Sequence, residues 1–111
     1  GKTDILIKHE NSNIFIAECK FRNGENEFLE AINQLLRYVS WRDTKTAIIL
    51  FNRNKDTSNV LGQIPDTVKK HPHFVRQESY EKENSFRFTM KNKNDENKHF
   101  VLTIKLFDVP K

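Results

Sequence analysis

The chain has one cysteine, Cys19, and a single thiol excludes both an internal disulfide framework and a cysteine-based zinc site. No apolar run approaches the length of a membrane-crossing helix, and the N-terminal residues lack the pattern of a secretory leader. These absences lead to the expectation of a soluble, cytoplasmic protein with no membrane partner. There is no internal repeat, no low-complexity linker and no base-reading motif. The histidines are scattered: His9 and His99 are isolated, and His71-Pro72-His73 has no neighbour at ligand spacing, so it reads as a helix stop rather than a metal site.

With 111 residues, 36% of them hydrophobic, the chain suffices for a single core, and its apolar residues fall in periodic runs as a folded domain requires. One domain spanning 1–111 is expected. The chain begins almost inside a strand, which suggests a fragment or the C-terminal domain of a larger protein. The net charge of +4 is unevenly spread: residues 1–68 hold nine Lys or Arg against nine Asp or Glu, and residues 69–111 hold ten against six. Such an excess suits a polyanionic partner, although a solvated basic face gives the same composition.

The most informative stretch runs from Asp4 to Lys20. Two arms rich in Ile and Phe flank the polar turn Asn11-Ser12-Asn13, the pattern of a β-hairpin. Asp4, Glu18 and Lys20 are charges within these apolar arms, and such charges are costly unless paired. A turn about Asn11 and Ser12 makes opposite positions sum to about 23, setting Asp4 across from the Glu18–Lys20 stretch. Glu18 and Lys20 are two apart, hence on one face and roughly 7 Å from each other. Two carboxylates brought together repel unless a cation joins them. Oxygen-only ligands, including the Cys19 backbone carbonyl, favour a hard cation such as Mg²⁺ or Mn²⁺. Lys20 is then placed to orient a water or to stabilise charge on a phosphate.

Gly1-Lys2-Thr3-Asp4-Ile5 resembles the Gly-x-x-Asp strand start of the PD-(D/E)XK nucleases, which share the restriction-endonuclease-like fold. Glu18-Cys19-Lys20 resembles their Glu-x-Lys, with thirteen residues between Asp4 and Glu18. Gln34-Leu35-Leu36-Arg37-Tyr38 looks like the Gln-x-x-x-Tyr motif of one branch of the superfamily, on the helix that follows the Glu-x-Lys strand. The resemblance implies Asp4 and Glu18 as ligands of Mg²⁺, Lys20 as the lysine that assists attack by water, and Gln34 and Tyr38 as residues beside the active site or the DNA. It covers roughly residues 1–51. One departure is the helix that usually opens the family core, which has no counterpart ahead of Asp4.

Glu25 to about Trp41 reads as a helix, with Phe28, Ile32, Leu35 and Val39 at helical spacing and Leu29 and Leu36 widening the stripe. Glu25, Glu27 and Glu30 suit its N-terminal end. Ala47-Ile48-Ile49-Leu50-Phe51 is a continuous apolar run, the mark of a strand buried on both faces. Strand, helix, strand gives a right-handed crossover with this run beside or near the Glu18 strand. A second helix carries Val60, Leu61, Ile64 and Val68, and Pro65 should end it, kink it or open a new first turn. Phe74–Tyr80, Phe86–Met90 and Phe100–Phe107 read as strands forming an antiparallel extension of the sheet or a small sheet packed on the core. Arg37, Arg42, Lys45 and Arg53 are candidate phosphate contacts, although Arg53 reads first as a solvated strand end.

The expected fold is α/β: a restriction-endonuclease-like mixed sheet of about six strands flanked by two main helices, with a C-terminal antiparallel extension. The expected function is a Mg²⁺- or Mn²⁺-dependent nuclease hydrolysing phosphodiester bonds, with DNA as the first partner and a homodimer suited to cutting two strands. The resemblance implies a setting in bacterial or phage restriction, defence or repair. A catalytically silent nucleic-acid-binding or protein-interaction module on the same fold is the alternative.

Overall fold

A computed structural model of the chain describes residues 5–9, 12–18, 26–37, 39, 45–52, 57–92 and 95–108. The elements run β1 (Ile5–His9), β2 (Ser12–Glu18), α1 (Asn26–Leu36), β3 (Lys45–Asn52), α2 (Thr57–Lys69), β4 (Phe74–Glu78), β5 (Ser85–Lys91) and β6 (His99–Asp108). The strands lie in the order β1-β2-β3-β6-β5-β4. β1 and β2 form an antiparallel pair, β3 runs parallel to β2, and β6 runs parallel to β3, whereas β5 and β4 follow antiparallel. The class is α/β with a mixed sheet and two helices, as the sequence pattern suggests. The C-terminal strands join the sheet through β6, which lies directly against β3.

One core holds these elements together. Phe28, Ile32, Leu35 and Leu36 of α1, and Val60, Ile64 and Val68 of α2, share a buried cluster with alternate residues of the strands. Those strand residues are Ile48 and Leu50 of β3, Phe88 and Met90 of β5, and Phe100, Leu102, Ile104 and Leu106 of β6. The register explains the selection: Ile48 pairs with Ile104, Phe88 with Leu102 and Met90 with Phe100, so all point to one side of the sheet. Both helices therefore cover the same face.

Two differences from the sequence reading have physical causes. β3 is not buried on both faces, because its burial alternates: Thr46, Ile48, Leu50 and Asn52 are buried, and Ala47, Ile49 and Phe51 are only partly so. An apolar run signals burial on both faces only when something covers both, and among the described residues no helix lies over the second. Helix α1 ends at Leu36, closing with a tight Arg37 N–H to Gln34 carbonyl bond of 3.2 Å, yet Val39 is still buried. Periodicity marks which residues reach the core, not where the helical bonding stops.

Pro65 neither ends α2 nor opens a new one, but lies within it. Its missing N–H and the ring clash cost about 3 kcal/mol. Carrying the helix past it buries Val68 completely. Burial of such a side chain is worth about 1.5–3 kcal/mol, which offsets most of the proline's cost. The strand β4, at the sheet edge, carries an irregularity between Phe74 and Arg76 and exposes Arg76 and Gln77, features that discourage edge-to-edge pairing.

Candidate functional site

Glu18 is the last residue of β2 and pairs in register with Phe51 of β3, which in turn pairs with Phe107 of β6. These three positions form one row across the sheet, at the C-terminal ends of its three parallel strands. Adjacent strands are about 4.8 Å apart, so the row from β2 to β6 spans about 10 Å. Ligand sites of α/β sheets favour this end. Asp4, Cys19, Lys20, Tyr38, Arg42 and Arg53 lie outside the described residues. Paired positions of the β1–β2 hairpin add to 21, from Ile5 with Ile16 to His9 with Ser12, two less than the turn about Asn11 and Ser12 requires. The last pair, His9 with Ser12, closes the described ladder. A shift of two keeps every residue on its face.

Gln34 is half-buried on α1. Arg37, one turn of chain further, is exposed and faces Glu30 with its Nη2 3.8 Å from the carboxylate Oε1. An exposed pair at that distance contributes only about 0–0.5 kcal/mol, so little holds Arg37 away from another anion. Lys45 opens β3 and is exposed. It lies six residues before Phe51, about 20 Å along the strand. Any phosphate that Lys45 meets is therefore not the one at the Glu18 row.

The open face of β6, β5 and β4 carries a set of contacts that the sequence did not suggest. Lys105 places its Nζ 5.2 Å from the centre of the Phe107 ring, and Phe107 stacks on Phe51 at 5.9 Å between ring centres. Arg87 lies with its guanidinium carbon 4.0 Å from the centre of the Tyr80 ring and donates its Nε–H to Thr103 Oγ1 at 3.2 Å. Glu78 accepts from the Thr89 hydroxyl and from Arg76 Nε at 2.7 Å. The Thr89 hydrogen bond holds its carboxyl below the usual range, partial burial opposes this, and the Arg76 charge adds to it. Spacing along the chain could have marked Arg87, Thr89, Thr103, Lys105 and Phe107 as one face of two strands. Only the pairing of β5 with β6 shows that they meet.

Next to this face the turn from Ser79 to Asn84 leaves an open cavity of ≈580 Å³, bounded by Glu78, Tyr80, Lys82, Ser85 and, from α2, Leu61. Asn84 adopts a left-handed φ of 54° that asparagine tolerates, and its carbonyl accepts the Leu106 N–H at 2.8 Å. The turn is thus pinned to the end of β6 beside Phe107.

His71-Pro72-His73 does follow the end of α2, and it is also a local bonding unit. The His73 N–H donates to His71 Nδ1 at 3.1 Å, so the neutral His71 ring carries its proton on Nε2 and donates to Asn33 Oδ1 at 2.7 Å. This ties the end of α2 to α1. Burial lowers the His71 pKa, and the nearby His73 lowers it further. Among the described residues no group of three or more His, Cys, Asp or Glu side chains is arranged to hold a metal, and no helix is long and apolar enough to cross a membrane.

No family model matches the chain, and neither a curated protein nor a solved structure does. Any functional reading therefore rests on the residues and their arrangement.

Proposed function

We propose that the protein is a metal-dependent nuclease built on a core like that of the PD-(D/E)XK superfamily. The observation that carries the reading is the connection of the first half of the chain. An antiparallel hairpin, β1–β2, leads through α1 to β3, which pairs parallel with β2. In this arrangement Glu18, the first residue of the Glu-x-Lys sequence, ends β2, and Gln34, the first residue of the Gln-x-x-x-Tyr sequence, lies in the crossover helix α1. That is the order the superfamily resemblance requires, with β4, β5 and β6 extending the sheet.

The donor set fits a hard cation, since the carboxylates of Asp4 and Glu18 and the Cys19 carbonyl offer oxygen alone. Asp4, Glu18 and the Cys19 carbonyl would hold Mg²⁺ or Mn²⁺. The ion, when bound, supplies Lewis acidity to the phosphate and acidifies a water. Lys20 orients the attacking water and offsets charge on the phosphoryl oxygens. Gln34 and Tyr38 position the substrate or the water from the helix side. Arg37, Arg42 and Arg53 are the candidate phosphate contacts near this chemistry, and Lys45 serves a more distant phosphate. DNA is the proposed substrate. A homodimer would supply two sites for cutting two strands.

Glu18→Ala and Lys20→Ala test the assignment. Each is expected to abolish Mn²⁺-supported cleavage of DNA while leaving the circular dichroism spectrum and thermal midpoint in place. Calorimetric titration should show Mn²⁺ binding lost in Glu18→Ala. Cleavage that persists in both variants would remove the proposal.

A further inference from the structure

The helix-free face of the sheet divides into two halves of different chemistry. In β3 its described positions are Ala47, Ile49 and Phe51, after Lys45 at the strand's start. In β6, β5 and β4 they are Val101, Thr103, Lys105, Phe107, Arg87, Thr89, Lys91, Arg76 and Glu78, set side by side by the register. Phe107 lies at the junction of the halves. It is 41% exposed, the one large hydrophobic residue so exposed among the described residues.

From the geometry we infer that the strip from Phe51 and Phe107 through Lys105 to Arg87 and Tyr80 is a seat for two or three nucleotides of a single strand. The inference rests on the nuclease reading and specifies the form of its substrate. Phe107 is backed by Phe51, and a base can stack on its exposed ring by displacing the Lys105 ammonium that lies 5.2 Å from the ring centre; such stacking needs no sequence preference. Lys105 lies two residues before Phe107 in β6 and Arg87 in the neighbouring β5, and neither makes an ion pair among the described residues. The acidic group on this half, Glu78, is already engaged by Thr89 and Arg76. The strip is therefore cationic where a phosphate would run and aromatic where a base would lie.

Its position suits the same end. The track begins at the register row of Glu18, Phe51 and Phe107, runs four residues back along β6 to the level of Thr103 and crosses one strand to its partner Arg87, about 14 Å from Phe107. That length matches a few nucleotides and not a full turn of duplex. The turn beyond carries Glu81 and Glu83, so the track stops at Tyr80. A rigid duplex presents its bases inward and could use Lys105 and Arg87 but not the Phe107 ring.

The test is binding of a fluorescein-labelled oligothymidylate, and of its uridylate counterpart, to the full chain in EDTA, read by anisotropy. Cleavage plays no part in this assay, so loss of the nuclease reading and loss of the binding strip are separate outcomes. Phe107→Ala is expected to weaken binding about fivefold or more at constant salt. Lys105→Ala and Arg87→Ala should each reduce the slope of log affinity against log salt by about 0.7. Phe107→Trp should keep the affinity, and its emission should be quenched by the oligonucleotide. Unchanged affinity in Phe107→Ala overturns the inference, as does tighter binding of a duplex of equal length. So does a sedimentation experiment in which Phe107→Ala breaks a dimer, since the face would then seat a second copy of the chain.

Discussion

On the helix side of β3, Ile48 and Leu50 are 0% and 1% exposed, whereas one step along the same strand Ala47, Ile49 and Phe51 keep part of their surface in water. The two faces carry similar residue types in β3 but diverge across β6 and β5. The covered side presents Phe88, Met90, Phe100, Leu102, Ile104 and Leu106, and the open side presents Arg87, Thr89, Thr103 and Lys105. The covered face is where area removed from water stabilises the fold. The open face offers aromatic rings, hydroxyls and cations arranged by register, which is useful for holding a ligand and contributes little to stability.

The sharpest way to break this comparison is to truncate one aromatic on each side. Phe88→Ala removes a fully buried ring and should cost about 3–5 kcal/mol in urea denaturation, enough to unfold a marginal domain. Phe107→Ala loses a partly exposed ring and its stacking on Phe51, and should cost about 1 kcal/mol or less. Equal costs would mean that both faces are core.

A smaller effect sharpens the account of the covered side. If burial of Val68 carries α2 through Pro65, relieving the proline should stabilise the protein. Pro65→Ala removes about 3 kcal/mol of helix penalty. The more flexible unfolded chain returns about 0.4–1 kcal/mol of that, and some contact of the half-buried ring is lost as well. A net gain of about 1–2 kcal/mol is expected. A destabilised variant would show that the ring's own packing, not its neighbours' burial, holds the turn.

Much of this layout was legible in the chain. Alternation in Phe86–Phe88–Met90 and in Leu102–Ile104–Leu106 identified the covered face of β5 and β6, and the spacing of Phe28, Ile32 and Leu35 identified that of α1. What was not legible depends on partners distant in sequence. The run Ala47–Phe51 has the same composition whether one face or two are covered, and only the position of both helices on one side decides it. Val39 satisfies the helical spacing without belonging to the helix. For the candidate site, Glu18 was marked by its charge in an apolar strand, but its neighbours Phe51 and Phe107 carry no local signal. Nor does anything local link Arg87 to Tyr80, or His71 to Asn33.

A further small effect concerns that last link, which fastens the end of α2 to α1 over the covered face. Asn33→Ala leaves the His71 Nε2–H without its acceptor in a buried position, a loss of about 1–3 kcal/mol. Alanine in a helix recovers about 0.5 kcal/mol, so a net cost of about 1 kcal/mol is expected in denaturation at neutral pH. Acid should act on the same link. Protonation puts a hydrogen on His71 Nδ1, the atom that accepts the His73 N–H, so the charged ring meets a donor where it needs an acceptor. Burial first, and the nearby His73 second, hold the folded pKa below the ordinary value of about 6.5. Between that value and the folded one, the unfolded chain binds the extra proton. The contribution is full above about 6.5 and is lost as pH falls through the folded pKa of His71. A ring-proton titration by nuclear magnetic resonance reads this directly, and a His71 midpoint at or above the ordinary value would show that the ring is not held neutral between the helices.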